Sequence, residues 1–367
     1  MNGKLKYRWA SLIVVLLILV TGNTAGCSRK MEGPREVLQQ SIQQEKAVTT
    51  SVTESRFQLN VEMESNQPVD SQLEGMLDAL QGIRLQVKTT SDNLEKKSLL
   101  EGHVEAGGVL LNFEMFVTEE MLALRVPALT TILNQPRFQH QYILVGMEDL
   151  MGHMSAEERV LYQEMMNRFS QQETNDELNQ LIAETLLEAI GDDAMEDLGE
   201  VAIELGKRQE KVRQIAIHLE EAEIRSLTLA FVNLLSEDIF RDLLYDMEIS
   251  GSSTMNREVF DAELDRAMEE LPERMDESLT AFFSMVDMEE SELVLTLSLT
   301  SDYQVVRTAF ISRLKLSPEP GVTLRVYLDT VFDTISQNEP VTVNVPEMTP
   351  DNTMDLMELL FMMMFGL

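Results

Sequence analysis

Cysteine occurs once in this chain, at Cys27. One thiol cannot close an internal disulfide or build a thiolate metal set, so packing has to hold the fold. Positive charge is scarce too: 29 Lys and Arg stand against 63 Asp and Glu, a net charge of −34. A surface this acidic repels phosphate backbones and anionic headgroups. That excludes nucleic acid as a partner and a basic patch as the means of membrane attachment, and it suits solubility at a crowded cell surface. Histidine is limited to His103, His140, His153 and His218, none with a second histidine at metal-ligand spacing. The chain has no His-Glu-x-x-His, no Gly-x-Ser-x-Gly, no Gly-rich phosphate loop and no Asp-x-Asp-x-Asn-Gly calcium loop. Met147, Met151, His153 and Met154 lie close together, but no repeated Met-x-x-Met array supports a Cu(I) site. Carboxylate pairs such as Glu220/Glu221, Glu269/Glu270 and Glu289/Glu290 are what 63 acids produce by chance. With no convergent set of catalytic roles, the expectation is a non-catalytic protein with no metal and no cofactor.

What is present begins with an address. Lys4, Lys6 and Arg8 precede an apolar run from Ala10 to Val20 broken only by Ser11, and Thr24-Ala25-Gly26 leads into Cys27. This is the pattern of a secretory signal (1–26) ending in a lipobox, with Cys27 as the lipidation site. Ordinary cleavage and free secretion is the rival reading, since Thr24 and Gly26 are small enough for it. The apolar run falls short of the ~20 residues that a helix needs to span a bilayer. A diacyl or triacyl cysteine, at ~0.8 kcal/mol per buried CH₂, would hold the chain on the extracytoplasmic face of a bacterial cell membrane.

Residues 27–35 read as the anchor and a polar tether, broken by Gly33 and Pro34. Residues 36–346 read as one α+β domain, and three segments follow one another within it. In 36–146, Val37, Leu38, Ile42 and Val48 give a helix over Glu36 to Val48. Phe57, Leu59, Val61 and Met63 alternate with polar residues as a half-buried strand does, a short helix covers Ser71 to Leu80, and strands follow around Ile83–Val87, Leu99–Glu105, Val109–Val117, Met121–Val126 and Tyr142–Val145. Gly107-Gly108 marks a two-residue hairpin turn. In 147–206 the period becomes helical: Ser155 to Phe169, Asn175 to Ile190 and Ala194 to Leu205. In 207–346 a strand (Val212–Leu219, with His218 facing solvent) runs into a long helix (Ser226–Met247). A charged helix follows (Asn256–Met285), with Pro272 as kink or boundary. Three long strands (Glu292–Thr300, Val305–Leu316, Val322–Leu328) and an extended Pro340–Val345 complete it.

In element order this chain resembles the LolA/LppX-type lipoprotein carriers and related, largely uncharacterised surface lipoproteins of Gram-positive bacteria. The order is an anchored N-terminal helix, a meander of alternating strands, a central helical segment, the strand-then-helix unit at 212–244, three long strands, and Val-Thr-Val-Asn-Val-Pro at 341–346. The resemblance implies one large curved antiparallel sheet, a half-barrel wrapping helices, whose concave apolar face takes lipid acyl chains. The helical insertions at 147–206 and 256–285 go beyond that pattern.

The functional expectation is therefore an anchored lipoprotein that binds or carries a lipid or other hydrophobic molecule. The alternative is a structural or interaction lipoprotein of the envelope whose sheet is filled by its own helices. The 24 methionines fit either an adaptable binding interior or ordinary core filling. Met354 to Leu367 is almost wholly apolar, and as a helix it is a docked core helix, a plug in the concave face, or a membrane contact too short to span.

Overall fold

The computed structural model describes residues 33–43, 48–66, 80–118, 120–132, 135–146, 172–242 and 256–356, with positions 75, 77, 245, 358 and 359 besides. The signal segment, Cys27, the helix over Ser155 to Phe169 and most of the helix over Ser71 to Leu80 lie outside the described residues. The chain is α+β, built on one open mixed sheet, and divides into two compact units: residues 1–47 with 155–325, and residues 48–154 with 326–367. Among the described residues no helix is long and apolar enough to cross a membrane.

In the first unit, helix α1 (Pro34–Gln43) starts with proline, whose missing N–H costs nothing in a first turn. It buries Val37, Leu38 and Ser41, and its Arg35 reaches the end of a second helix, Gln172–Ala189 (α3 in chain order). Arg35 donates to the carbonyls of Leu187 (2.6 Å) and Ile190 and pairs with Asp192. Leu187 is in the last turn of that helix and Ile190 follows it, so a cation there adds hydrogen bonds at the end where the helix dipole favours positive charge.

Residues 195–205 correct the sequence expectation of a helix over Ala194 to Leu205. They form strand β7 (Met195–Leu205), paired with β8 (Arg208–His218) through a tight turn at Gly206, whose φ is +60°. A bulge between Asp197 and Gly199 shifts the register, with Gly199 at φ +79°. Past the bulge Val201, Ile203 and Leu205 alternate with Glu200, Ala202 and Glu204, as a strand requires.

Next come helix α4 (Glu221–Leu234) and helix α5 (Arg257–Phe283). Asn256 caps α5 by accepting a hydrogen bond from Val259 N at 2.9 Å. The helix runs through Pro272, which is therefore no boundary. Arg225 joins α4 to α5, donating to Asp276 (2.5 Å) and Thr280 and stacking over Phe283. Strands β9 (Glu292–Leu299) and β10 (Val305–Glu319) follow, and β11 (Val322–Gln337) continues into the second unit. Against β8 and β9, Leu293, Leu295, Leu297, Leu299, Ile215 and Ile217 pack with Val37, Leu38, Leu186, Leu187 and Leu227 as one core.

The second unit holds β1 (Thr50–Ser65), β2 (Ile83–Asp92), β3 (Lys97–Ala106), β4 (Val109–Val117), β5 (Met121–Arg125), the short helix α2 (Leu129–Ile132) and β6 (Tyr142–Gly146). The meander expected from alternation is present, and Gly107 and Gly108 turn β3 into β4 with φ of +56° and +76°. Residues 341–348 lie outside the ladders. Then β12 (Thr353–Asp355) pairs in parallel with β6, so Met354 is in a strand and any terminal helix starts later than expected. The strand order of the whole sheet is β12-β6-β5-β4-β3-β2-β1-β11-β10-β9-β8-β7. Asn338, at φ +55°, ties the end of β11 to the start of β1. Its Oδ1 accepts from Thr49 N (2.8 Å) and Oγ1 (2.9 Å), while its N–H donates to Thr50 O.

Substituting Arg35 by Ala removes charge-assisted bonds to helix-end carbonyls, each worth about 1.5–3 kcal/mol in mutational series. The expected outcome is about 1–3 kcal/mol of lost stability in urea unfolding, with faster amide exchange confined to α1 and the end of α3. A variant as stable as the parent contradicts the clamp.

Candidate functional site

The ladders of the second unit sort its side chains into two faces. Registers run Phe57–Leu85–Val104–Leu111, then Ser55–Val87–Gly102–Phe113, then Thr53–Thr89–Leu100–Met115–Leu124. Side chains opposite one another in a ladder share a face, so these rows place Phe57, Leu85, Val87, Leu100, Val104, Leu111, Phe113, Met115 and Leu124 on one apolar surface. Every one of them is only partly buried. A face this apolar belongs in a core, and partial burial of all its members is the property that marks it.

Gly102 sits in the middle of this surface. A Cβ there would stand 2.3 Å from Gln86 O and 2.9 Å from Phe113 Cζ, so the Phe113 ring lies over the bare glycine backbone. The pair fills the gap left by the missing side chain with an aromatic from the next strand. Sequence reading passed over both residues, although an isolated glycine inside an alternating strand is itself a sign of close approach.

At the β6 edge the apolar face is covered. Ile143, which pairs with Leu124 and Met354, is 5% exposed and packs with Phe138 (1%), Met354 (2%) and Leu359 (7%), with Leu129 and Leu356 beside them.

The opposite face carries Arg56, Gln58, Arg84, Gln86, Lys88, Glu101, His103, Glu105 and Asn112, a solvated surface with an Arg84–Glu105 pair at 3.3 Å. Toward β5 it becomes apolar, where Phe116, Ala123 and Tyr142 are buried under Val343, Val345 and Met348. The Val341, Val343, Val345 alternation seen in the sequence thus serves packing without a ladder. Within this layer Tyr142 donates to Glu114 Oε1 at 3.1 Å, and Arg125 pairs with Glu114 and stacks over the Tyr142 ring. Burial pushes the Tyr142 phenol above its ordinary range, and the Glu114 carboxylate adds to the rise.

The first unit differs. Leu205 and Ser298 are fully buried and Val212 is 1% exposed, all on the sheet face away from α1 and α3. Gln214 donates to Ser298 at 3.2 Å, satisfying the buried hydroxyl. Arg307 of β10 donates to Glu204 O of β7 at 2.8 Å, although β8 and β9 lie between these strands in the ladder. Flat strands ~4.8 Å apart would put them beyond an arginine's reach, so this part of the sheet coils.

The remaining candidates do not converge. His103 lies on the polar face of β3, His140 is exposed before β6, and His218 is half-exposed with Nε2 3.1 Å from Glu196. Glu221 pairs with Arg225 along α4, and Glu290 with Lys315 at 2.6 Å. Asp197 pairs with Arg213 at 2.6 Å, and the guanidinium holds its carboxyl below the usual carboxylate range. Cys27 and the group Met147, Met151, His153 and Met154 lie outside the described residues. Of the methionines among the described residues, Met195 and Met354 are buried and Met115 is on the apolar face. No family model matches this chain, and no curated protein matches it either.

Three outcomes follow. Gly102→Val should cost about 2–4 kcal/mol, because added bulk in a packed site forces backbone and ring apart, and Gly102→Ala somewhat less. Thermal unfolding checks this, and a neutral Gly102→Val refutes the packing described. In absorbance titration the Tyr142 phenol should ionise above the ordinary pH of ~10, and that component should vanish from the curve in Tyr142→Phe. Because its folded pKa is raised, its stabilising contribution is complete below the unfolded value and is lost as pH climbs through the folded one. Asp197 has the opposite sign: its contribution is present above the ordinary carboxylate pKa and fades as pH falls through the lowered value. Arg213→Ala should therefore move the acid-unfolding midpoint to higher pH, and an unchanged midpoint speaks against the pair.

Proposed function

We propose that this chain is a lipoprotein held through Cys27 on the extracytoplasmic face of a bacterial cell membrane, and that it binds or carries a hydrophobic molecule without catalysing a reaction. The ligand class is a lipid acyl chain or a molecule of similar apolar length. The observation that carries the reading is the apolar surface of β1–β5, on which nine side chains, from Phe57 and Leu85 to Met115 and Leu124, are left partly exposed. Apolar surface taken from water is worth about 25 cal/mol per Å², so such a face is a standing driving force for an apolar ligand.

The finer form of the proposal is the LolA/LppX-like half-barrel wrapping helices. The coil of β7–β10, reported by the Arg307–Glu204 bond, supports curvature in that part of the sheet. The anchor side fits as well. Residues 28–33 separate Cys27 from Pro34, and α1 then docks at once through Val37, Leu38 and Arg35. Six residues span at most ~20 Å, so the first unit would be held close above the headgroups.

A second reading is a structural or interaction lipoprotein with a filled core. The first unit favours it, since Leu205, Val212 and Ser298 are buried on the side of the strands away from α1 and α3. Native mass spectrometry of residues 28–367, purified gently and followed by solvent extraction, decides between the two. Co-purified lipid near one per chain is expected, whereas a bare mass that persists after incubation with lipid vesicles transfers the case to the second reading. Metabolic labelling with palmitate should mark the full chain and leave Cys27→Ser unlabelled, and label on the Cys27→Ser chain contradicts the anchor.

A further inference from the structure

The two ends of the second unit's strands are unlike. At one end β2 turns into β3 through Asn93-Leu94-Glu95-Lys96, flanked by Asp92 and Lys97, so the exposed Leu94 (74%) stands among charges. At the other end β3 turns into β4 inside the run Ala106-Gly107-Gly108-Val109-Leu110-Leu111-Asn112-Phe113, which carries no charge in a chain of net charge −34. Val109 is 55% and Leu110 54% exposed there, and Leu80, just before β2 at the same end, is 38% exposed. Among the described residues, a Cβ added at Gly82, Gly107 or Gly108 would meet no heavy atom within 4 Å, so these turns project past their neighbours.

The ladder decides what can cover this tip. Val109 pairs with Ala106 and stands two residues before Leu111, which puts it on the apolar face; Leu110 pairs with Glu105, itself paired with Arg84, and so points to the polar face. A folded partner laid on either face buries one of the two and leaves the other in water. A lipid layer closes around an inserted tip from all sides and takes both. We propose that the β3–β4 turn is a membrane-contacting tip, which dips Val109 and Leu110 into the surface of a neutral lipid bilayer and presents that end of the apolar face to its ligand. This names a partner for the face under the lipid-binding reading and rests on that reading. Val109 continues the face through Leu111 and Val104, so an acyl chain entering beside it meets no charge on the way. Insertion is shallow, because the Arg84–Glu105 pair (3.3 Å) lies in the same row as Leu110 and stays with the headgroups. The bilayer is a neutral one, since a chain this acidic is repelled by anionic headgroups.

Residues 28–367 contain no cysteine, so Val109→Cys or Leu94→Cys places a single NBD fluorophore at either end of the strands. With phosphatidylcholine vesicles, NBD at position 109 should shift to the blue and be quenched by nitroxide-bearing lipid, while NBD at position 94 should do neither. Adding Leu110→Gln to the chain labelled at 109 should weaken vesicle partitioning about tenfold, as the loss of one leucine's apolar burial requires, with cooperative unfolding retained. A pyrene-labelled fatty acid should pass from vesicles to Leu110→Gln about tenfold more slowly than to the parent, and bind both equally from solution. No response at 109, with the fatty acid still bound from solution, overturns the tip and leaves the binding face standing. Equal responses at 94 and 109 overturn it too, by showing adsorption without a preferred end. The response at 109 without fatty-acid binding supports the tip and sinks the lipid-binding reading.

Discussion

A β-ladder fixes which side chains share a face, and an apolar face must then be covered by something. In the second unit the registers from β1 to β5 leave no freedom: once Phe57 pairs with Leu85 and Leu85 with Val104, the polar partners Arg56, Gln86 and His103 go to the other side. The Gly102–Phe113 contact locks the same register from within, because only a bare backbone admits the ring at that row. Two clusters of the second unit cover parts of the faces so created. Residues 343–348 cover one side near β5, and Phe138, Met354 and Leu359 cover the edge of the other.

The first unit meets the same constraint by different means. Helices α1, α3 and α4 cover one side of β8 and β9, and Arg35 joins two of those helices through the carbonyls at the end of α3. On the other side Leu205, Val212 and Ser298 are buried, with Ser298 satisfied by Gln214 and Arg307 reaching Glu204 O. One unit thus covers a side of its strands with helices, and the other keeps a face of partly exposed apolar side chains.

Much of this was legible in the residues. Strict alternation from Phe57 to Glu64 and the Gly107-Gly108 turn each point to the conformation found. The helix expected over Ala194 to Leu205 failed for a definite reason. The extra residue at the Asp197/Gly199 bulge puts Met195 and Val201 on opposite faces, so no single alternation runs through the strand, and its Glu, Leu and Ala content suits a helix as well as a strand. The mostly apolar run from Met354 to Leu367 reads as a helix, but the parallel pairing of Met354 with Ile143 is a long-range contact that no local pattern records. The candidate face shows the same limit. Each of its strands announces an apolar side, yet only the joined registers show nine of those side chains forming one surface and staying partly exposed.

The central claim is that the β1–β5 face accepts an apolar ligand. A photoactivatable fatty acid, irradiated with residues 28–367 and mapped by peptide mass spectrometry, tests it directly. Labelling concentrated within residues 85–124, competed away by unlabelled fatty acid, is the predicted result. Label scattered over the first unit, or none that a competitor removes, contradicts the account.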